Sequence, residues 1–436
     1  MKGFVWRGAW GLMAVLVLAV TMIANAAAAE KNIRVWTFLD PTKNEGREIV
    51  LRKLIAQFEA QNPGVKITVE PQVWSQVTQK FVLASNAGNA PDVVWAIGSD
   101  FGLVIDSGAA ADLNKLIFDH WTPQQKKDMA FKSAYDYATV DGKLLGVPLF
   151  PYAAVILYRK DMFKAAGLTE DSIKTWKGFA EAARKLTKDT NGDGTPDVWG
   201  ATIPLAVERA TTTPAPTAFM DLRGNLFDKK CHADFANPDG VRSLQMEVDL
   251  VTKDKAVSRE DLSRTTDDSN DVFIAGHAAM LTIASVRYPT TQQKATWDKS
   301  QLGVAAWPSW DGKKPGPALM SAWFLTIWKK SPHPHEAAKF VEFLISPEAS
   351  KMWTLQGGQL PIRRSVAELP ELNQPQYAYL KKLTYILSDT GVFPPPDCNA
   401  TRTLSDWNLA AQRVILGGKT PMEALKEAEG ATNNRQ

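Results

Sequence analysis

The stretch "DTNGDGTPDVWG" (residues 189–200) sets Asp189, Asn191, Asp193 and Asp197 at positions 1, 3, 5 and 9 of a loop. Thr195 offers its carbonyl from position 7, and Gly194 supplies the sharp turn, as in an oxygen cage for calcium. Position 12 should carry a bidentate Glu and is Gly200, so a ligand is missing or comes from elsewhere, with Glu208 a candidate. A structural calcium and a metal-free turn, in which Asp and Asn side chains bond the backbone, stand level. Other chemistry is written less completely. "HEAAK" begins as a zinc-protease helix, but Lys339 takes the place of the second histidine. "GGKT" ends as a phosphate loop, but Arg413 stands where its first glycine belongs, and the segment follows a helix. No G-x-S-x-G and no C-x-x-C occur. A pair of carboxylates for glycoside cleavage is not singled out, so a catalytic function is not expected.

Fifteen Trp in 436 residues point to stacking, either in the core or on the faces of sugar rings. The formal charge is +3, and removing Lys2 and Arg7 with a leader lowers it further. Such a chain presents no general field for nucleic acid. The N-terminus carries that leader: Lys2 and Arg7, an apolar run from Leu12 to Ile23, then Ala27-Ala28-Ala29 before Glu30. This predicts a secretory signal peptide over residues 1–29, cut near Ala29, with an uncleaved anchor as the alternative. No cysteine stands at the cut for lipid attachment, so a free protein in the bacterial periplasm is expected. Cys231 and Cys398 are the two cysteines. In an oxidising compartment a disulfide between them and two buried free thiols are both open.

The elements that must position any site alternate in type. "IRVWTF" reads as a strand, and Leu51, Leu54, Ile55 and Phe58 as a helical stripe ended by Asn62-Pro63-Gly64. "VKITVE", a second helix pattern and the strand "PDVVWA" follow. This β-α-β-α-β order predicts a mainly parallel sheet covered by helices. A ligand in such a sheet sits at the carboxyl ends of the strands. A second α/β region begins near residue 149 with the strand "AVILYR" and the amphipathic helix "TWKGFAEAARKLT".

The order of these motifs resembles the family 1 extracellular solute-binding proteins of ABC importers, the group of maltose-binding protein. "LIAQFEAQNPGVKITVE", "APDVVWA", "DGKLLGVPLFPYAAVILYRKDMFKAAGL", "VFIAGHAAMLT" and "EAAKFVEFLISPEASKMWTLQGGQLPIRRS" carry the likeness across the mature chain. The resemblance implies a two-lobe periplasmic binding protein fold of type II. Residues 30–148 plus about 301–346 would form the N-terminal lobe, and about 149–300 plus 347–436 the C-terminal lobe, with the ligand cleft at the hinge. It implies a monomer that captures a carbohydrate and delivers it to the membrane subunits of an ABC permease by hinge closure.

By position in the motifs, the resemblance assigns ligand contacts to Asp40 after the first strand, to Trp95 and Asp100 at the third, and to Tyr152 in the crossing "LFPYAA". It adds Tyr288, in "SVRY" where relatives have glycine-Trp, then Trp323, and Trp407 as a helix-borne platform. Trp74 and Arg363 are of second rank. Alternatives are glycerol phosphate, a polyamine or an iron chelate in the same cleft, or an exported glycosidase. A phosphate would call for clustered Arg or Lys, and Arg363-Arg364 is the conspicuous pair.

Overall fold

The structure, a computed structural model, describes residue 1 and residues 30–434 apart from 208–211, 229, 396, 397 and 399. The expected leader, Met1 aside, and Glu208 therefore lie outside the described residues. Among the described residues no helix is long and apolar enough to cross a membrane.

Strand β1 (Lys31–Thr37) buries Ile33, Val35 and Thr37 and turns the alternate residues outward. Helix α1 (Gly46–Gln61) follows and buries Leu51, Leu54 and Phe58. It stops where Gly64 takes a φ of 85°, a conformation a side chain would strain. Strand β2 (Val65–Pro71) then pairs parallel to β1, Lys31 opposite Val65 through Thr37 opposite Pro71. After helix α2 (Val77–Asn86) comes β3 (Val93–Ile97), parallel to β1 and buried at every residue. The carboxyl ends of β1, β2 and β3 thus share one edge of the sheet.

Two long strands carry the chain between the lobes. Strand β4 (Val147–Arg159) begins against β7 (Ala318–Ile327), with Val147 opposite Leu325. Its register shifts between Leu149 and Tyr152, where Phe150 adopts a φ of 53°. Beyond this bulge β4 pairs antiparallel with β5 (Met280–Ala284) and β6 (Leu302–Ala305) in the second lobe. A bulge bends a strand, and a non-glycine residue at positive φ stores strain that packing must hold. Here Phe150 is held between Trp95 and Trp353, with ring centroids 5.5 and 4.9 Å away. The two-lobe α/β fold is the one expected, but its sheet is mixed. β3 meets β7 antiparallel, and the named partners of β4 are all antiparallel to it. The cause is that the crossing strands run against their neighbours.

Each lobe has its own apolar core. The first gathers Val35, Phe58, Trp95, Phe324 and Phe340; the second gathers Leu157, Phe179, Phe235, Leu281 and Trp407. Ala349, Trp353 and Ile362, beyond the expected switch at 347, pack in the first core. Leu360, in the same connecting stretch, packs in the second. Strand β8 (Gly391–Val392) adds to β7, and Phe393 then touches both cores. Cys231 and Cys398 are joined in a disulfide, Cα atoms 5.0 Å apart.

Candidate ligand cleft

The parallel edge of the first lobe builds one wall. After β1 the chain runs into Phe38, whose ring stacks on Trp323 of β7 with centroids 4.2 Å apart. Above Phe38 lies the guanidinium of Arg47 from the first turn of α1, 5.1 Å from the ring centroid. Beside β1, the backbone N–H of Gln72 donates to the carbonyl of Thr37 at 2.8 Å. That bond holds the turn after β2 on the same edge, where Val73 and Trp74 stand 53% and 51% exposed. These two neighbouring side chains leave apolar surface uncovered at the strand-end loop.

The floor is the crossing pair. Tyr152 and Ser321 face each other across β4 and β7 just past the bulge. Burial pushes the Tyr152 phenol above its ordinary value, and the charge of Asp100 adds to the rise. A small cavity opens here, lined by Gly98, Tyr137, Met320, Ser321, Phe393 and Leu404. Tyr137 donates to the carbonyl of Gly98 at 2.7 Å. A Cβ at Gly98 would stand 2.7 Å from the Ser321 hydroxyl, so glycine allows β3 to approach the crossing strand this closely. Cys398 lines the same cavity, so the disulfide fixes part of its wall.

The proposed contacts separate by burial. Trp74 is exposed at the edge, Tyr152 is half-buried at the hinge, and Trp323 is 7% exposed beneath Phe38. Asp40 closes its own turn by accepting from the N–H and hydroxyl of Thr42, which hold its carboxyl below the usual range. The hydroxyl of Ser99 donates to Asp100 at 3.4 Å. Trp95 is fully buried in the first core, and Trp407 is packed in the second against Phe219 and Phe235. Tyr288 is buried face to face on Tyr379, centroids 4.2 Å apart, and its phenol is pushed up to about 12 by burial. Arg363 is buried within the first lobe. It donates to the carbonyl of Ile345 at 2.7 Å and covers the ring of Trp121.

The acidic loop uses its carboxylates internally. Asp189 accepts from the N–H groups of Gly192 and Gly194, Asp193 from that of Thr195, and Asp197 from those of Thr190 and Asn191. Among the described residues no group of three or more His, Cys, Asp or Glu is arranged to hold a metal.

Phe38, Arg47 and Tyr137 escaped the reading of the sequence. The signal for Arg47 was there: it stands four residues before Leu51 on the inward stripe of α1, so a charge there faces the sheet edge.

A family model described as bacterial extracellular solute-binding protein matches residues 45–351. The chain belongs to this family. Its members bind small molecules and work with ABC permeases. The sn-glycerol-3-phosphate-binding periplasmic protein UgpB of Escherichia coli K12 is 26% identical to this solute-binding protein over 436 residues, covering 95% of this chain and 94% of its own. Among solved structures, the sugar-binding protein MalE of Xanthomonas citri superposes with a TM-score of 0.76 at 20% identity, covering 93% of this chain and 97% of that one. A solute-binding protein of Thermotoga lettingae bound with alpha-D-tagatose gives 0.75 at 22%, over 93% and 99%. At these identities the structures speak for the fold.

Proposed function

We propose that the protein captures a polyhydroxylated solute, a sugar or a sugar-derived polyol, between its lobes and delivers it to an ABC permease. It does so in the periplasm, after removal of the leader near Ala29, and as a monomer. The observation that carries the reading is the parallel edge, where exposed Trp74 and the Phe38–Trp323 stack stand above a hinge crossed by two strands. Flat rings cover the C–H faces of a sugar, while the Tyr152 and Ser321 hydroxyls can exchange hydrogen bonds with its hydroxyls. Ligand that touches both lobes favours the closed arrangement by its extra contacts there.

The test is a thermal-shift screen of residues 30–436 against monosaccharides, oligosaccharides and polyols, followed by calorimetry. A binder of the folded state raises the melting temperature. Trp74→Ala is expected to weaken the hit by about 1–3 kcal/mol, the range for an aromatic contact at a binding surface. Unchanged affinity would remove Trp74 from the site.

A further inference from the structure

Arg47 is placed at a cost. It is half-buried, and no carboxylate among the described residues forms an ion pair with it. Its guanidinium lies over the face of Phe38, 5.1 Å from the ring centroid. A cation in the first turn of a helix also opposes the helix dipole. Burial lowers its pKa; Glu48 and Glu45 oppose that, and the positive charge of Arg287 adds to the fall. Arg287 comes from the other lobe, in the turn that leaves β5 (Ser285–Arg287).

Packing brings the turns that carry the two arginines against one stretch of chain. Gly46, next to Arg47, lies so close to the carbonyl of Gln356 that a Cβ would stand 2.8 Å from it. Two residues on, the Cβ position of Gly358 lies 3.5 Å from Pro289 and 3.3 Å from the hydroxyl of Tyr379. Tyr379 stacks on Tyr288, the residue that follows Arg287. The stretch 356–358 thus neighbours Gly46, beside Arg47, from the first lobe and Pro289, two residues past Arg287, from the second. Arg287 is paired with Asp267 at 2.8 Å, but that carboxylate is 73% exposed, and such a surface pair is weak and easily exchanged.

The positive charges of Arg47 and Arg287 repel, Glu48 and Glu45 offset part of the cost to Arg47, and no ion pair among the described residues neutralises Arg47 directly. An anion between them removes that penalty and gains bidentate hydrogen bonds from both. We propose that the captured solute carries an anionic group, a phosphate ester or a carboxylate, held jointly by Arg47 and Arg287. This rests on the capture reading above and narrows it. It also relocates the basic pair that a phosphate ligand requires: Arg363 is spent on the first lobe's own framework, while Arg47 and Arg287, 240 positions apart, are drawn toward each other only by the fold.

The experiment is calorimetry and thermal shift on matched probes: glycerol against glycerol 3-phosphate, and glucose against glucose 6-phosphate and gluconate. The expected result is binding of an anionic member at least tenfold tighter than its neutral counterpart, weakening as salt is raised. R47Q and R287Q each lower that affinity by tenfold or more. R47L separately raises the melting temperature of the ligand-free protein, because an unpaired, desolvated charge is gone. A residue needed only for folding would do the reverse. Phosphate esters alone, or carboxylates alone, among the binders identify the group. Neutral sugars binding as tightly as their charged partners, with R47Q and R287Q unchanged, overturn the anion while leaving capture intact. No binding by any member of either class overturns both.

Discussion

Glu247 offers a quantitative test of how the second lobe is built. It lies on the helix Pro238–Thr252 and is 1% exposed. One oxygen accepts from the backbone N–H of Ala215 at 2.8 Å, at the start of the helix Pro214–Arg223. Burial raises its carboxyl from 4.5 to about 7, with the Ala215 N–H pulling the other way. The unfolded chain titrates near the ordinary value, so between pH 4.5 and 7 the folded state holds a proton that the unfolded state has released. Stability must therefore fall as pH rises through this window and level off above it. A gap of about 2.5 units, at 1.36 kcal/mol each, is roughly 3 kcal/mol. In Glu247→Gln the amide oxygen can still accept from Ala215 and nothing titrates. The stability of the variant minus that of the parent should grow by roughly 3 kcal/mol between pH 4.5 and 8. At about 2.1 cal/mol/K per residue over some 400 residues, this corresponds to a few degrees in melting temperature. Urea unfolding at half-unit pH steps measures it. The extra N–H donors of glutamine can add an offset, but not a slope. A difference that stays flat across this range refutes the desolvated acid.

The other predictions concern the disulfide, the acidic loop and a buried indole. Replacing Cys231 and Cys398 by serine should lower unfolding free energy by roughly 2–5 kcal/mol, since the bridge closes a long loop in the unfolded chain; denaturant titration reads this. Because Cys398 lines the hinge cavity, the reduced protein should also bind its solute more weakly by calorimetry. Chelation should leave the melting curve unchanged, because the carboxylates of 189–197 already serve the loop's own N–H groups; a drop would assign a structural calcium. Trp407→Ala should cost about 3–5 kcal/mol of stability, as for deletion of a large core side chain; a variant of parental stability would place the ring outside the core.

What could be read in advance follows the range of the interactions. The strand β1, the stop of α1 and the order of elements were legible because alternation, helical stripes and Asn-Pro-Gly breaks are local. The mixed sheet was not, because the direction in which β7 enters depends on a partner strand more than 150 residues earlier. The aromatic contacts failed to separate for a related reason. Residue type announces that a ring will be covered, not by what. Trp407 could have been placed by periodicity alone: Leu404, Trp407, Ala411 and Ile415 form one buried stripe of the helix Ala400–Ile415, and a residue on that stripe faces its own lobe. The same rule applied to Arg47 gives the opposite lesson. A charge on an apolar stripe at the end of its helix marks the edge of the core, where the side chain is only half-buried and can face a ligand. Stripe position distinguishes a ring spent on the core from a charge held ready for a ligand, and neither composition nor motif order carries that distinction.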